Sequence, residues 1–160
     1  MRKIIIKSIL LLVILVISVH CERDDICIDA TTPNLIIRFY DQSENTTLKS
    51  VDELKMEIDS LGTYIEYNTY SAIDSLVIPL RIDDDLTKLR FTINESTTPI
   101  IDNFTLNYER NFVFVSRSCG YKSEFLNIQT TNATNNWIQT LNIIKQNIQD
   151  ENQAHLTMYH

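Results

Sequence analysis

The sequence predicts an all-β protein built as an antiparallel β-sandwich. Three observations lead to this fold class: apolar residues recur with period two along most of the chain, the segments that show this alternation are short, and no clear helical stretch separates them. Apolar residues make up 44% of the chain, so the composition allows a packed core. Two antiparallel sheets stacked face to face account for all three observations.

Residues 1–20 have the layout of a secretory signal peptide. Basic residues at the start precede an apolar run from Ile9 to Val19, and a cysteine follows directly. The alternative is a transmembrane anchor, which needs ~20 apolar residues, and the run spans only about half of that. We therefore expect residues 1–20 to be removed.

Cys21 stands where bacterial lipoproteins carry the cysteine that becomes diacylated and begins the mature chain. Residues 21–33 are then the lipidated N-terminus and a tether, and residues 34–160 form a single β-sandwich domain, because this length fits one core. His20 occupies a position that normally holds Gly, Ala or Ser. Plain secretion with an unmodified Cys21 is therefore the alternative.

The mature chain is strongly acidic. Removing residues 1–20 removes three basic residues and no acidic ones, which leaves 11 basic and 21 acidic residues and a formal charge of −10. Nucleic-acid binding is disfavoured, because its affinity comes from Lys and Arg that replace phosphate counterions. Electrostatic adhesion to anionic lipid is disfavoured too. The expected contact with the membrane is through the N-terminal lipid alone.

The chain has three cysteines, Cys21, Cys27 and Cys119. If Cys21 carries lipid in an oxidising compartment, the other two are predicted to form a disulfide around a loop of about 90 residues, worth ~4 to 5 kcal/mol in the chain-entropy model. Two buried thiols or a nucleophilic Cys119 are the alternatives. A nucleophile needs a nearby base, and outside the signal the only histidines are His155 and His160.

Alternation along the mature chain predicts strands at residues 35–39, 54–58, 76–82, 89–93, 104–108, 112–116, 125–130 and 154–159. Gly62 marks a turn after the second strand. Pro79 places the third strand at a sheet edge or a bulge, because proline has no N–H to donate. Residues 83–85 would turn the chain into a hairpin with the fourth strand, and another turn is predicted at 109–111.

Residues 137–148 fit two structures. Trp137, Leu141, Ile144 and Ile148 match a helical stripe, whereas the Asn and Thr content is poor for a helix and favours a strand. We predict a strand, with a single short C-terminal helix as the alternative. The whole pattern fits an immunoglobulin-like or a transthyretin-like sandwich.

Four segments stand out together: CERDDIC at 21–27, TTPNLIIRFYD at 31–41, LVIPLRID at 76–83 and FVFVSRSCGYKSEF at 112–125. They resemble the uncharacterised Bacteroidota lipoprotein family called domain of unknown function 6452. The most specific part is the early cysteine paired with a later Ser-Arg-x-Cys-Gly run, here residues 116–120. The resemblance covers nearly the whole mature chain, implies an envelope lipoprotein with a β-rich domain, and implies no activity.

Two groups of residues are candidate binding sites. Asp83, Asp84 and Asp85 could bind calcium, but an EF-hand-like loop needs an internal glycine, so a solvated turn is the better interpretation. Tyr64, Tyr67 and Tyr70 could offer rings to a glycan, but their spacing does not place all three on one strand face. The sequence therefore predicts no metal site and no cofactor.

The predicted function is that of a non-catalytic envelope lipoprotein, a structural or partner-binding β module at the outer membrane, on its periplasmic face or at the cell surface. The sequence has no nucleophile elbow, no His-Glu-x-x-His helix and no phosphate loop, so we do not expect an enzyme. The alternative is a glycan-binding or carbohydrate-processing accessory lipoprotein. The expected partner is an envelope protein or a glycan, and no nucleic acid.

Overall fold

The computed structural model describes residues 26–28, 31–95 and 98–160, so the predicted signal peptide and Cys21 lie outside the described residues. Within them the chain forms β-strands and no helix, which confirms the all-β prediction. The strands are β1 Leu35–Tyr40, β2 Leu54–Ser60, β3 Thr63–Tyr70, β4 Ser75–Ile78, β5 Leu86–Glu95, β6 Thr98–Ser116, β7 Gly120–Thr131, β8 Thr140–Ile143 and β9 Leu156–Tyr159.

The strands form two sheets that enclose one core. The smaller sheet has the order β4-β1-β9-β8 and the larger sheet has the order β3-β2-β5-β6-β7. Alternate side chains of both sheets point inward and form a single buried cluster, with Leu35, Ile37 and Phe39 from one sheet and Leu89 and Phe91 from the other all fully buried. The β-sandwich prediction is confirmed, and period-two alternation is its physical basis.

The pair β1 and β9 is parallel, unlike the other neighbouring strands of the described chain. His155 directly precedes β9 and is fully buried. Its Nδ1 accepts a hydrogen bond from the N–H of Ile36 at 3.0 Å, and its Nε2 lies 3.0 Å from the carbonyl of Asp150, to which it donates. This pattern requires a neutral imidazole, because Nδ1 must keep a lone pair.

The predicted hairpin between the third and fourth expected strands is wrong. β4 pairs with β1, whereas β5 pairs with β2 and β6, so residues 79–85 cross from one sheet to the other. A triple-aspartate turn fits a crossing loop as well as a hairpin, because both need polar, solvated backbone. The edge position is confirmed: β4 ends at Ile78, and Pro79 follows at the edge of its sheet.

The turn predicted at Glu109 to Asn111 is also wrong. β6 runs without a break to Ser116, and the chain turns at 117–119 instead. Residues 109–111 pair regularly with β7, and the register shift just before them places an extra residue in β7, where Asn127 has a φ of 54°. Such a bulge adds one residue to a strand without ending it.

For residues 137–148 the strand prediction is confirmed and the helical alternative is wrong. Thr140–Ile143 is β8, which pairs antiparallel with β9. Ile148 forms an isolated bridge with Phe125 of β7, so residues 144–148 pass along the free edge of the larger sheet. The sequence pattern resembles a helical stripe because Trp137 and Ile148 are both buried, although they enter the core at two separate places and not on one helix face.

Candidate functional site

The strands β6 and β7 extend beyond the sandwich as a two-stranded hairpin. β5 pairs with β6 only as far as Asn107, and beyond this point β6 pairs with β7 alone. A turn at residues 117–119 closes the hairpin. Gly120, the first residue after the turn, has a φ of 71°, a left-handed conformation that glycine adopts without strain. We call residues 112–123 the arm.

One face of the arm continues the core face of the sheet. Side chains alternate along β6, so Phe112 and Phe114 share the face of the buried Tyr108. Tyr121 is the direct partner of Phe114 across the hairpin, and their rings meet edge to face at 5.4 Å. The exposed fractions are 58% for Phe112, 56% for Phe114 and 69% for Tyr121. The arm therefore presents an aromatic face that the opposite sheet does not cover.

Arg110 closes the core where the arm begins. Its guanidinium donates to the Asp85 carboxylate at 2.6 Å and to the Ile82 carbonyl at 2.7 Å, which fixes the crossing loop at the rim of the sandwich. The same guanidinium lies 6.0 Å from the centre of the Phe112 ring. The buried core thus ends at Arg110, and the exposed aromatic face starts one pleat further along β6.

A disulfide joins the tip of the arm to the N-terminal segment. Cys27 and Cys119 are bonded, as the sequence predicts, with their Cα atoms 4.9 Å apart and a sequence separation of 92. The N–H of Ser123 donates to the Thr32 hydroxyl at 2.9 Å, so the N-terminal segment also contacts the free edge of β7. The disulfide makes Cys119 unavailable as a nucleophile.

A cleft lies at the opposite end of the sandwich. Two adjoining cavities of about 290 and 300 Å³ share Lys49, Ile93 and His160 as lining residues. The His160 ring packs edge-on against Trp137 at 5.7 Å and against Phe39 at 6.2 Å. The remaining lining residues are mostly small, polar or amide-bearing: Ser50, Val51, Asp52, Asn94, Ile100, Asn136 and Gln139.

Lys49 and His160 hold each other in place in the cleft. The Lys49 ammonium donates to the His160 carbonyl at 2.8 Å, and the His160 ring nitrogen Nε2 lies 3.3 Å from the Lys49 carbonyl, to which it donates. Burial lowers the pKa of His160 below its ordinary value, so the ring is neutral at pH 7. The cleft therefore combines uncharged hydrogen-bonding groups with the Asp52 carboxylate and with the Lys49 ammonium, which also pairs with the Asp41 carboxylate at 3.4 Å.

A buried carboxylate, which the sequence analysis did not predict as a functional residue, holds the backbone of one wall of the cleft in place. Asp102 is fully buried in β6 and accepts hydrogen bonds from the Thr134 hydroxyl at 2.7 Å and from the N–H groups of Asn136, Trp137 and Ile138 at 2.8 Å each. These bonds place the backbone that carries Trp137. A lone acidic residue among the apolar and neutral residues 98–108 was the available signal.

The other candidate residues, the aspartates at 83–85 and the tyrosines of β3, do not come together in a binding site. Asp83 pairs with Arg81 at 2.7 Å and Asp85 with Arg110 at 2.6 Å, which agrees with a turn held by ion pairs. The three tyrosines of β3 are spread along an exposed edge strand, and the Tyr64 ring lies under Arg90 at 3.7 Å. Across the described residues, no group of three or more His, Cys, Asp or Glu side chains could hold a metal ion.

The fold and the site define a class of protein: a disulfide-linked β-sandwich with a projecting hairpin at one end and a cleft at the other. Within this class, the chain belongs to the family described as "Family of unknown function (DUF6452)", which matches residues 56–160. The match includes the arm, Cys119 and β8, and it starts within β2, after Cys27 and β1. No curated protein and no solved structure matches the chain. In the described ranges, no helix is long and apolar enough to cross a membrane.

Proposed function

We propose that the chain is a non-catalytic lipoprotein of a Bacteroidota cell envelope, anchored through lipid on Cys21, whose β-sandwich binds a partner. The observation that carries the proposal is the disulfide between Cys27 and Cys119. It ties the segment that follows Cys21 to the tip of the β6–β7 hairpin, and disulfides of this kind persist in oxidising compartments. In a protein anchored at Cys21, this disulfide would connect the anchor directly to the hairpin of the two longest strands, β6 and β7, instead of through a flexible linker alone.

The position of the cleft fits a binding role for the end of the sandwich far from the anchor. Ile100 in the cleft and Phe114 in the arm lie on the same strand, 14 residues apart, which corresponds to ~45 Å along an extended strand. Anchorage at the arm end would keep the cleft at the end of the sandwich far from the lipid, open to the periplasm or to the exterior of the cell. A partner in that space could then reach Lys49 and Gln139.

An envelope protein is the partner we propose for the cleft. Lys49, Asp52 and the amides of Asn94, Asn136 and Gln139 offer both donors and acceptors, as the polar rim of a protein interface does. Lys49 and His160 are already engaged with each other's carbonyl groups, which suits positioning and binding rather than proton transfer.

Site-specific photo-crosslinking tests the proposal. A photoreactive phenylalanine analogue is placed at the exposed Gln139, and a control at Ile65 on the exposed edge strand β3, each in the native cell envelope. We expect a discrete protein adduct from position 139 and none from position 65. Equal adducts from both positions, or no adduct from either, would remove the support for a protein partner at the cleft.

A glycan-binding accessory lipoprotein is the second candidate function. The observation that favours it is the grouping of three amide side chains, Asn94, Asn136 and Gln139, around cavities that also border Trp137. Amide groups next to an aromatic ring suit neutral sugar hydroxyls. Retention of the purified protein on immobilised envelope glycans, abolished by Gln139→Ala and unchanged by Tyr67→Ala, would favour this candidate over a protein partner.

A further inference from the structure

We propose that the aromatic face of the arm, formed by Phe112, Phe114 and Tyr121, rests on the phospholipid surface beside the protein's own lipid anchor. The inference goes beyond the proposed function and rests on its lipidation of Cys21. It assigns the arm a phospholipid surface as its partner, and it gives the sandwich a fixed orientation on the membrane.

The length of chain between the anchor and the arm limits where the arm can be. Cys27 lies six positions after Cys21, and a chain of that length spans at most about 20 Å in any conformation. Cys27 is bonded to Cys119, and Tyr121 lies two residues further along β7. The aromatic face is therefore held within reach of the surface into which the acyl chains insert.

The chemistry of the aromatic face matches the interfacial layer of a bilayer. Two phenylalanine rings supply apolar area, and Tyr121 adds a ring whose hydroxyl can stay among hydrated headgroups. The three side chains lie on one side of a two-stranded hairpin and form one continuous aromatic face. An amphipathic contact of this kind supplements a lipid anchor, because stable attachment commonly combines two signals.

The arm lacks the acidic residues that are frequent in the rest of the mature chain. Residues 110–123 contain three basic residues and no acidic one, within a mature chain of formal charge −10. Arg110 and Lys122 are paired with Asp85 and Glu124, and the exposed Arg117 is at the tip. The arm therefore does not repel anionic headgroups as the acidic remainder of the mature chain does, and the net charge of the chain does not reveal this difference.

Fluorescence quenching by brominated lipid tests the inference. Full-length lipidated protein from the native envelope, carrying Phe114→Trp, is reconstituted into phosphatidylethanolamine–phosphatidylglycerol vesicles with or without brominated acyl chains. The matched control is Tyr67→Trp, an aromatic position on β3 with a similar exposed fraction of 51%. Trp137 is present in both proteins and lies at the far end of the sandwich. We expect loss of the added emission for Phe114→Trp and none for Tyr67→Trp.

Flotation of the same vesicles separates the two proposals. If the protein floats and Phe114→Trp is not quenched, the anchor stands and the lipid-facing arm is wrong. A blue-shifted but unquenched emission from position 114 also overturns the inference, because the face would then be covered by protein, such as a second copy of this chain. If the protein does not float, both the lipid anchor and the inference fail.

Discussion

The buried carboxylate of Asp102 accepts the backbone N–H of Trp137 at 2.8 Å, across 35 residues of sequence. The same carboxylate accepts the N–H groups of Asn136 and Ile138, so one side chain replaces the strand partners that this non-strand segment lacks. Because Trp137 borders the cleft, Asp102 links the middle of β6 to the proposed binding end. A buried carboxylate is retained where several donors converge on it.

Removing the Asp102 carboxylate should strongly destabilise the protein. Asp102→Ala leaves three backbone N–H groups, two of them buried, without an acceptor, and we expect the free energy of unfolding to fall by roughly 3 kcal/mol or more. The exposed Asp52→Asn is the control and should change it by less than about 0.5 kcal/mol. Urea denaturation followed by circular dichroism measures both, and an unchanged midpoint for Asp102→Ala would show that the carboxylate is dispensable.

The disulfide should stabilise the fold. Cys27→Ser should lower the free energy of unfolding by ~2 to 5 kcal/mol, because the broken bond releases a loop of 92 residues in the unfolded chain. Cys119→Ser and the double variant should give the same loss as the single change, since each removes the same bond. Denaturation with and without reductant measures it. A double variant much less stable than either single one would contradict a shared bond.

Stability should fall on mild acidification because His155 must stay neutral. Burial lowers the pKa of His155 in the folded state below its ordinary value of 6.5, so the unfolded chain binds the proton more readily. Stability is therefore full above pH 6.5 and is lost as the pH falls through 6.5 towards the folded-state pKa, by at most about 1.4 kcal/mol per pH unit for this group.

The His155 effect can be separated from that of His160, whose pKa burial also lowers. His155→Gln should flatten the dependence of the unfolding free energy on pH below 6.5, at a cost in stability at pH 7.5. His160→Gln should leave unchanged the part of the pH dependence of the unfolding free energy that comes from His155. Urea titrations at each pH provide the measurement, and an unaltered slope in His155→Gln would mean that this ring does not titrate on unfolding.

The arm should tolerate polar substitution that the core does not. Phe112→Ser and Phe114→Ser act on exposed rings, and each should change the free energy of unfolding by less than about 0.5 kcal/mol. Phe125→Ala, at a fully buried position on the same hairpin, should cost ~3 to 5 kcal/mol. Thermal unfolding of the purified variants measures the contrast. A large loss at Phe114 would show that its face is packed within the protein.

The sequence predicted those parts of the fold that depend on local alternation. Period-two patterns place β1, β2 and β5 correctly because one face of each strand is buried. The crossing at 79–85 and the unbroken β6 were missed, because loop composition is the same in hairpins and crossings and a bulge resembles a turn. Neither the cleft nor the exposed face of Phe112 and Phe114 could be predicted, because each depends on how far one sheet extends past the other.

Metabolic labelling of Cys21 tests the central proposal, a lipid-anchored envelope protein, most directly. Cells that express the wild type, Cys21→Ser or Cys27→Ser are fed an alkyne fatty acid, and the chain is recovered and examined for the label. We expect label on the wild type and on Cys27→Ser, because Cys27 belongs to the disulfide, and no label on Cys21→Ser. Equal label on Cys21→Ser, or an unlabelled wild-type protein, would contradict the lipid anchor.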